Sequence, residues 1–137
     1  MSPIAGYLPM FILRRLMRQY DGQLKQIIVL RTDLKMRRGK EIAQGSHASM
    51  AGYLKNRRNP FVRIWLDGAF AKIAVGIEGE KALLELHEKA RAEGLPTALI
   101  QDAGRTEFGG VPTYTAVAIG PGEPDTIKNL TGHLKLR

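Results

Sequence analysis

Short apolar runs and helically spaced apolar residues alternate along this chain, and their order predicts its architecture. Ile27, Ile28, Val29 and Leu30 form a continuous, largely β-branched run, the pattern of a strand covered on both faces of a sheet. A polar, basic loop over 32–39 follows and ends in Gly39. Over 40–54, Ile42, Ala43, Ser46, Met50 and Leu54 recur at helical spacing. Asn59 before Pro60 is an N-cap with proline in the first turn, and Gly68 stands where a helix stops. These signals predict a short helix over 60–67 that packs through Val62, Ile64 and Trp65. A second strand over 72–77 leads to a helix over 80–93, with Leu83, Leu86 and Ala90 on one side and Gly94-Leu95-Pro96 as its terminator. A third strand over 97–101 ends at Asp102, a fourth over 114–119 follows a glycine-rich loop, and a short helix is expected near 126–130.

Strands alternating with helices imply an α/β protein whose sheet is mainly parallel and covered on both faces. The start of the chain falls outside that alternation. Arg14, Arg15 and Arg18 lie among Phe11, Ile12, Leu13, Leu16 and Met17, with no acidic residue before Asp21. That segment reads as an extension, amphipathic if helical and peripheral to function. The division expected is therefore a flexible extension over 1–22 and one domain over 23–137, since 137 residues suffice for one core and not two. No apolar run approaches the roughly 20 residues of a membrane span, so no membrane partner is expected.

Charge narrows the picture. The 21 Lys and Arg against 13 Asp and Glu give a formal charge of +8. Such an excess favours a polyanionic partner, nucleic acid first, through the counterions released on binding. A basic surface that serves solubility alone gives the same count. The absence of cysteine removes disulfide frameworks, thiolate metal sites and cysteine nucleophiles together.

In open α/β sheets the ligand crevice lies beyond the carboxyl ends of the strands, which makes two segments candidates. Lys40, Gln44 and His47 are spaced i, i+4, i+7 at the helix after the first strand, so they share a face beside free helix-start N–H groups, a corner suited to an anion. Asp102, Gly104 and Thr106 end the third strand with a carboxylate, a backbone free to approach closely and a hydroxyl. Singly, each residue also reads as surface or turn chemistry. His47, His87 and His133 are scattered without a zinc-binding spacing, the GxSxG elbow is absent, and Gly120-Pro121-Gly122 lacks the lysine of a phosphate loop. Composition and spacing reach a basic α/β domain with a polar crevice.

Three stretches, taken in order, go further. They are Leu30-Arg31-Thr32-Asp33-Leu34-Lys35-Met36 with Gly39-Lys40, Gln44 and His47; Gly94-Leu95-Pro96 with Asp102-Ala103-Gly104-Arg105-Thr106; and Ala118-Ile119-Gly120-Pro121 with Leu130-Thr131-Gly132-His133-Leu134-Lys135-Leu136. Together, over 25–137, they resemble the signature of the peptidyl-tRNA hydrolase 2 family. The resemblance implies a four-stranded mixed sheet between helical layers, a three-layer α/β/α fold, often in a homodimer. It also implies cytoplasmic hydrolysis of the ester joining peptide to tRNA, with peptidyl-tRNA as the partner and no metal or organic cofactor. The family's active-site positions fall on Lys40, Gln44, His47, Asp102, Thr106 and Thr115. An extra residue in the loop over 107–114 makes Thr113 a competitor of Thr115. Arg37, Arg38, Arg57, Arg58, Arg63 and Arg105 are the expected phosphate contacts on tRNA. The alternative from another class is a non-catalytic RNA-binding or protein-interaction module on the same fold.

Overall fold

A computed structural model describes residues 9–20 and 22–137 of the chain. In order, the elements are α1 (Met10–Tyr20), β1 (Lys25–Arg31), α2 (Arg38–Asn56), α3 (Pro60–Asp67), β2 (Ala71–Ile77), α4 (Glu80–Ala92), β3 (Thr97–Asp102), β4 (Thr113–Ile119) and α5 (Pro124–Thr131). The four strands make one mixed sheet ordered β2-β1-β4-β3. One core cluster joins Val29, Val75, Val117 and Ile119 to Leu83, Leu86 and Ala90 of α4 and Ile127 of α5. A second joins Leu30, Ala116 and Ala118 to Ala48 of α2. Helices thus cover both faces, as the three-layer α/β/α reading requires.

The expectation of a mainly parallel sheet needs correction. Only β1 and β2 pair in parallel; β4 pairs antiparallel with both β1 and β3. β1, β2 and β3 do run the same way, but β4 runs against them and lies between β1 and β3. The cause is the link between β3 and β4, residues 103–112, which contains no helix. A crossover back to a parallel neighbour needs a dozen or more residues, whereas an antiparallel neighbour needs only a turn. This reversal matters for function, because it brings the start of β4 beside the end of β3.

Local signals fixed several helix ends. Asn59 Oδ1 accepts hydrogen bonds from the N–H groups of Phe61 and Val62 at 2.9 and 3.4 Å, which caps α3. Val62, Ile64 and Trp65 are buried as expected, and the indole N–H of Trp65 donates to the Ala71 carbonyl at 2.7 Å. In α2 the periodic apolar residues are the wrong guide to packing. Ile42, Met50 and Leu54 are 64%, 66% and 54% exposed, while Gln44, Gly45, Ala48 and Gly52 face the sheet. The backbone of α2 comes so close that a Cβ on Gly52 would lie 3.1 Å from that of Ala118.

Within the segment set apart as an extension, α1 packs on α3 in a cluster that includes Leu16, Tyr20 and Phe61, and the rings of Tyr20 and Phe61 meet edge to face at 5.3 Å. Leu13 of α1 is buried as well. Expectations for residues 1–8 and Asp21 lie outside the described residues. At the other end, the Gly76 N–H donates to the Lys135 carbonyl and the Arg137 N–H to the Ala74 carbonyl, both at 2.9 Å, so the final residues line the free edge of β2. A methyl group on Gly76 would lie 2.5 Å from Thr32 Cγ2, which accounts for a glycine inside that strand.

Candidate active site

The site forms where three elements end at one pole of the sheet. α2 starts there and carries Lys40 and Gln44 one turn apart, β3 ends there at Asp102, and β4 starts there with Thr113 and Thr115. Lys40 Nζ donates to Asp102 Oδ1 at 2.9 Å and to Thr106 Oγ1 at 3.0 Å. Gln44 Nε2 donates to the same Asp102 Oδ1 at 3.1 Å. The Gly104 N–H donates to Asp102 Oδ2 at 2.8 Å. Thr115 donates its hydroxyl to Gln44 Oε1. Because a carboxylate only accepts, Asp102 fixes which end of the Gln44 amide faces it, and Thr115 secures the other end.

A bulge selects Thr115. Along β3 and β4 the register runs Ile100↔Ala116 and then Gln101↔Tyr114, so Thr115 has no partner on β3. Bulges of this kind re-aim side chains next to functional sites. Thr115 is fully buried against Gln44, while the Thr113 hydroxyl turns back to the Val111 carbonyl at 2.8 Å. Thr113 pairs with Asp102 along the ladder, but of the two hydroxyls the one bonded to a side chain of the cluster is that of Thr115. Thr115→Val, which keeps the shape but strands the buried Gln44 Oε1, should cost about 1–3 kcal/mol of stability. Thr113→Val should leave the melting temperature nearly unchanged; equal melting losses in the two variants would refute this account of the bulge.

Gly104 supplies a backbone donor because no other residue fits. Its φ is 82°, and a Cβ there would lie 2.2 Å from the Val111 carbonyl oxygen. The loop folds so tightly that the Gly110 N–H donates to the Gly104 carbonyl at 2.8 Å. Phe108 of the same loop places its ring centroid 5.5 Å from Lys40 Nζ, an apolar wall that composition gave no means of finding. Arg31 also escaped the sequence reading. It donates to the Tyr114 carbonyl at 2.9 Å, pinning β4 beside the bulge, and its fork grips Asp33, whose Oδ1 accepts from the Gly79 N–H at 2.8 Å.

Electrostatics follow from this wiring. The side chains of Lys40 and Asp102 are only 14% and 15% exposed. The hydrogen bond from Lys40 holds the Asp102 carboxyl below its ordinary range; burial pushes the other way, and the Gly104 N–H, the Lys40 charge and the Gln44 amide add to the lowering. Asp102 is therefore ionised at any pH near neutrality. Lys40 has three protons to donate and places two, on Asp102 and Thr106. The remaining proton can meet an oxyanion. Arg37 at the N-cap contributes no capping side chain, so the first-turn N–H groups of α2 also face an incoming anion.

His47, on the same stripe of α2 as Lys40, is exposed and makes none of these hydrogen bonds. It lies seven residues along, about 10 Å at 1.5 Å per residue. The six arginines separate by position. Arg37, Arg38 and Arg105 are exposed around the site, with Arg37 Nε 3.7 Å from a Glu107 carboxylate oxygen. Arg57 and Arg58 are exposed just past the far end of the 19-residue α2, about 28 Å away at 1.5 Å per residue, and Arg63 is half-buried on α3.

Fold and cluster together define an α/β protein whose crevice pairs a fixed carboxylate with an ammonium, a class of site able to orient a water and stabilise an oxyanion. Comparison with known proteins makes this specific. The family model described as peptidyl-tRNA hydrolase PTH2 matches residues 24–137. The peptidyl-tRNA hydrolase of Methanocaldococcus jannaschii is 45% identical over 115 residues, covering 82% of this chain and 99% of that protein. The proteins named peptidyl-tRNA hydrolase 2, mitochondrial, of Bos taurus and Homo sapiens are each 44% identical over 118 residues, 85% of this chain and 65% of those longer ones. The chain belongs to the peptidyl-tRNA hydrolase PTH2 family. Among the described residues no helix is long and apolar enough to cross a membrane.

Proposed function

We propose that this chain hydrolyses the ester between peptide and tRNA, releasing a peptide carboxylate and a tRNA with a free terminal ribose hydroxyl. The observation that carries the reading is the convergence of Lys40, Gln44, Asp102, Thr106 and Thr115 in one hydrogen-bonded cluster, whose directly bonded pairs lie up to 71 residues apart in the chain. In this reading Asp102, held ionised, is a weak base, so it acts chiefly by orienting the attacking water through the lone pair of Oδ2 that the Gly104 N–H leaves free. Water adds to the ester carbonyl, the oxyanion forms against Lys40 and the first-turn amides of α2, and the bond to the ribose oxygen then breaks, one proton of the water ending on that oxygen and the other passing from the new carboxyl to solvent. Thr106, accepting from Lys40, keeps its own proton free to donate to substrate. His47 stands further off and serves at most the incoming tRNA. A non-catalytic module explains neither this cluster nor the names of the relatives.

The test is direct: peptidyl-tRNA is incubated with the purified chain and free tRNA is followed on an acid gel. Release of tRNA at a rate proportional to enzyme is expected, and none at any concentration would refute the reading. Hydrolysis resides in the domain over 23–137, with 1–22 as an extension. The resemblance also carries a cytoplasmic location and a homodimer into this proposal; the mass of the chain in solution checks the second.

For tRNA, the arginines at the two ends of α2 act on phosphates and give little base preference. Affinity should then fall with salt, the logarithmic slope growing by roughly 0.7–0.9 for each phosphate contact. Arg57→Glu with Arg58→Glu should flatten that slope by at least one unit; an unchanged slope moves the tRNA path to another face.

A further inference from the structure

Across α2 from the catalytic cluster lies a second concavity, a cleft of about 890 Å³. Ile28, Leu30 and Ala74 of the sheet floor it, with Ile42 and Met50 of α2 on one side and Phe70 on the other. The volume is in the upper part of the range for ligand sites, roughly 300–1,000 Å³. Ile42, Met50 and Phe70 are 64%, 66% and 46% exposed, a grouping of large apolar side chains that folding alone does not call for. Phe70 also stands at a φ of 56°, a backbone region costly for a bulky residue, and this conformation sets its ring 3.0 Å from Lys72 Nζ at the cleft wall.

The first turn of α2 lies between the cleft and the site and presents side chains to both. Arg38 and Glu41 line the cleft, while Lys40 between them turns to Asp102. Gly39 in that turn carries no side chain, and a Cβ built there has nothing within 4 Å, so the helix surface at that position is open to an extended chain. Of the charged residues lining the cleft, Glu41 is held by Arg137, which leaves for an occupant Arg38 and those protons of the Lys72 ammonium that its 3.0 Å bond to the Phe70 carbonyl does not use.

We propose that this cleft takes the apolar side chains of the peptide carried by peptidyl-tRNA, as that peptide leads away from the ester held at Lys40 and Asp102. The inference rests on the hydrolase reading above. A helix is about 10–12 Å across, and an extended chain advances about 3.3–3.6 Å per residue. The first three residues or so therefore cross the helix start, and those from about the fourth onward enter the cleft. The unbranched Met50 side chain adapts to many partners, which suits peptides of unrelated sequence. Arg38 and Lys72 offer donors to their carbonyl groups.

The experiment compares substrates built on one tRNA: an N-acetyl-aminoacyl-tRNA, an acetylated apolar hexapeptidyl-tRNA and an acetylated Gly/Ser hexapeptidyl-tRNA. The full chain should show a KM for the apolar hexapeptide about five- to tenfold below that for the Gly/Ser one, the scale of partly burying one apolar side chain. Ile42→Ser with Met50→Ser, at exposed positions and without a charge change, should abolish this preference while turnover of the N-acetyl substrate stays within about twofold of wild type. Equal KM values for the two hexapeptides in the wild type, or a preference that survives in the double variant, overturns the inference. A wild-type chain that hydrolyses none of the three overturns the hydrolase reading beneath it.

Discussion

Asp102→Asn should lower single-turnover hydrolysis of peptidyl-tRNA by about 10²-fold or more, the usual scale for a positioned base or water-orienting group. tRNA affinity should hold or rise slightly, since one negative charge leaves a basic surface. The geometry makes this substitution harsher than its isosteric shape implies. Asp102 accepts at Oδ1 from Lys40 and Gln44 and at Oδ2 from Gly104. An amide has one accepting end, so its NH₂ must confront either Lys40 and Gln44 or the Gly104 N–H. Stability will record that loss together with the rate. Because the folded carboxyl lies below its unfolded value of about 3.9, its contribution is full above that value and fades as pH falls through the folded pKa. Wild type should therefore lose this part of its stability only in strong acid, and the Asn variant should lack that part of the pH dependence. Near-normal turnover in a folded Asp102→Asn variant would remove Asp102 from the chemistry.

Lys40→Met should cost about 10²–10³ in kcat, the scale of removing one oxyanion donor from a largely dry site. It leaves the Asp102 carboxylate without the partner that lowers its pKa most, and the Thr106 hydroxyl without a donor. The Asp102 pKa must then rise. A second signature follows that a purely structural lysine would not give: the acid limb of the pH–rate profile moves to higher pH in the residual activity of Lys40→Met. Lys40→Arg keeps the charge but not the compact ammonium geometry, so it should hold the limb low while recovering only part of the rate. A Lys40→Met enzyme with unchanged kcat and an unmoved acid limb would confine Lys40 to holding the fold.

Much of the fold was legible because its signals are local. The α3 cap is a contact between neighbours in sequence, so Asn59 and Pro60 announced it, and the β-branched run of β1 marked a central strand wherever its partners lay. The candidate site was legible in part for the same reason: Lys40 and Gln44 share a helix face by spacing, and Asp102 ends a strand. The resemblance supplied the remaining positions, but not which of them meet.

What the sequence by itself determined is the set of elements from β1 onward and their order, since periodicity, caps and turn residues act over a few positions. Tertiary structure decided the rest, through choices made by distant partners. The direction of β4 was set by where its ladders form, and the meeting of Gln44 with Thr115 instead of Thr113 by one unpaired residue against β3. The face of α2 that packs was set by how closely Gly45 and Gly52 let the backbone approach Ile28, Gln26 and Ala118, against the apolar stripe that marked the helix. That inversion turned Ile42 and Met50 outward and opened the cleft beside the site. The physical reason is that burial depends on the closeness a partner surface allows, and no partner surface is written in the spacing of the residues that meet it.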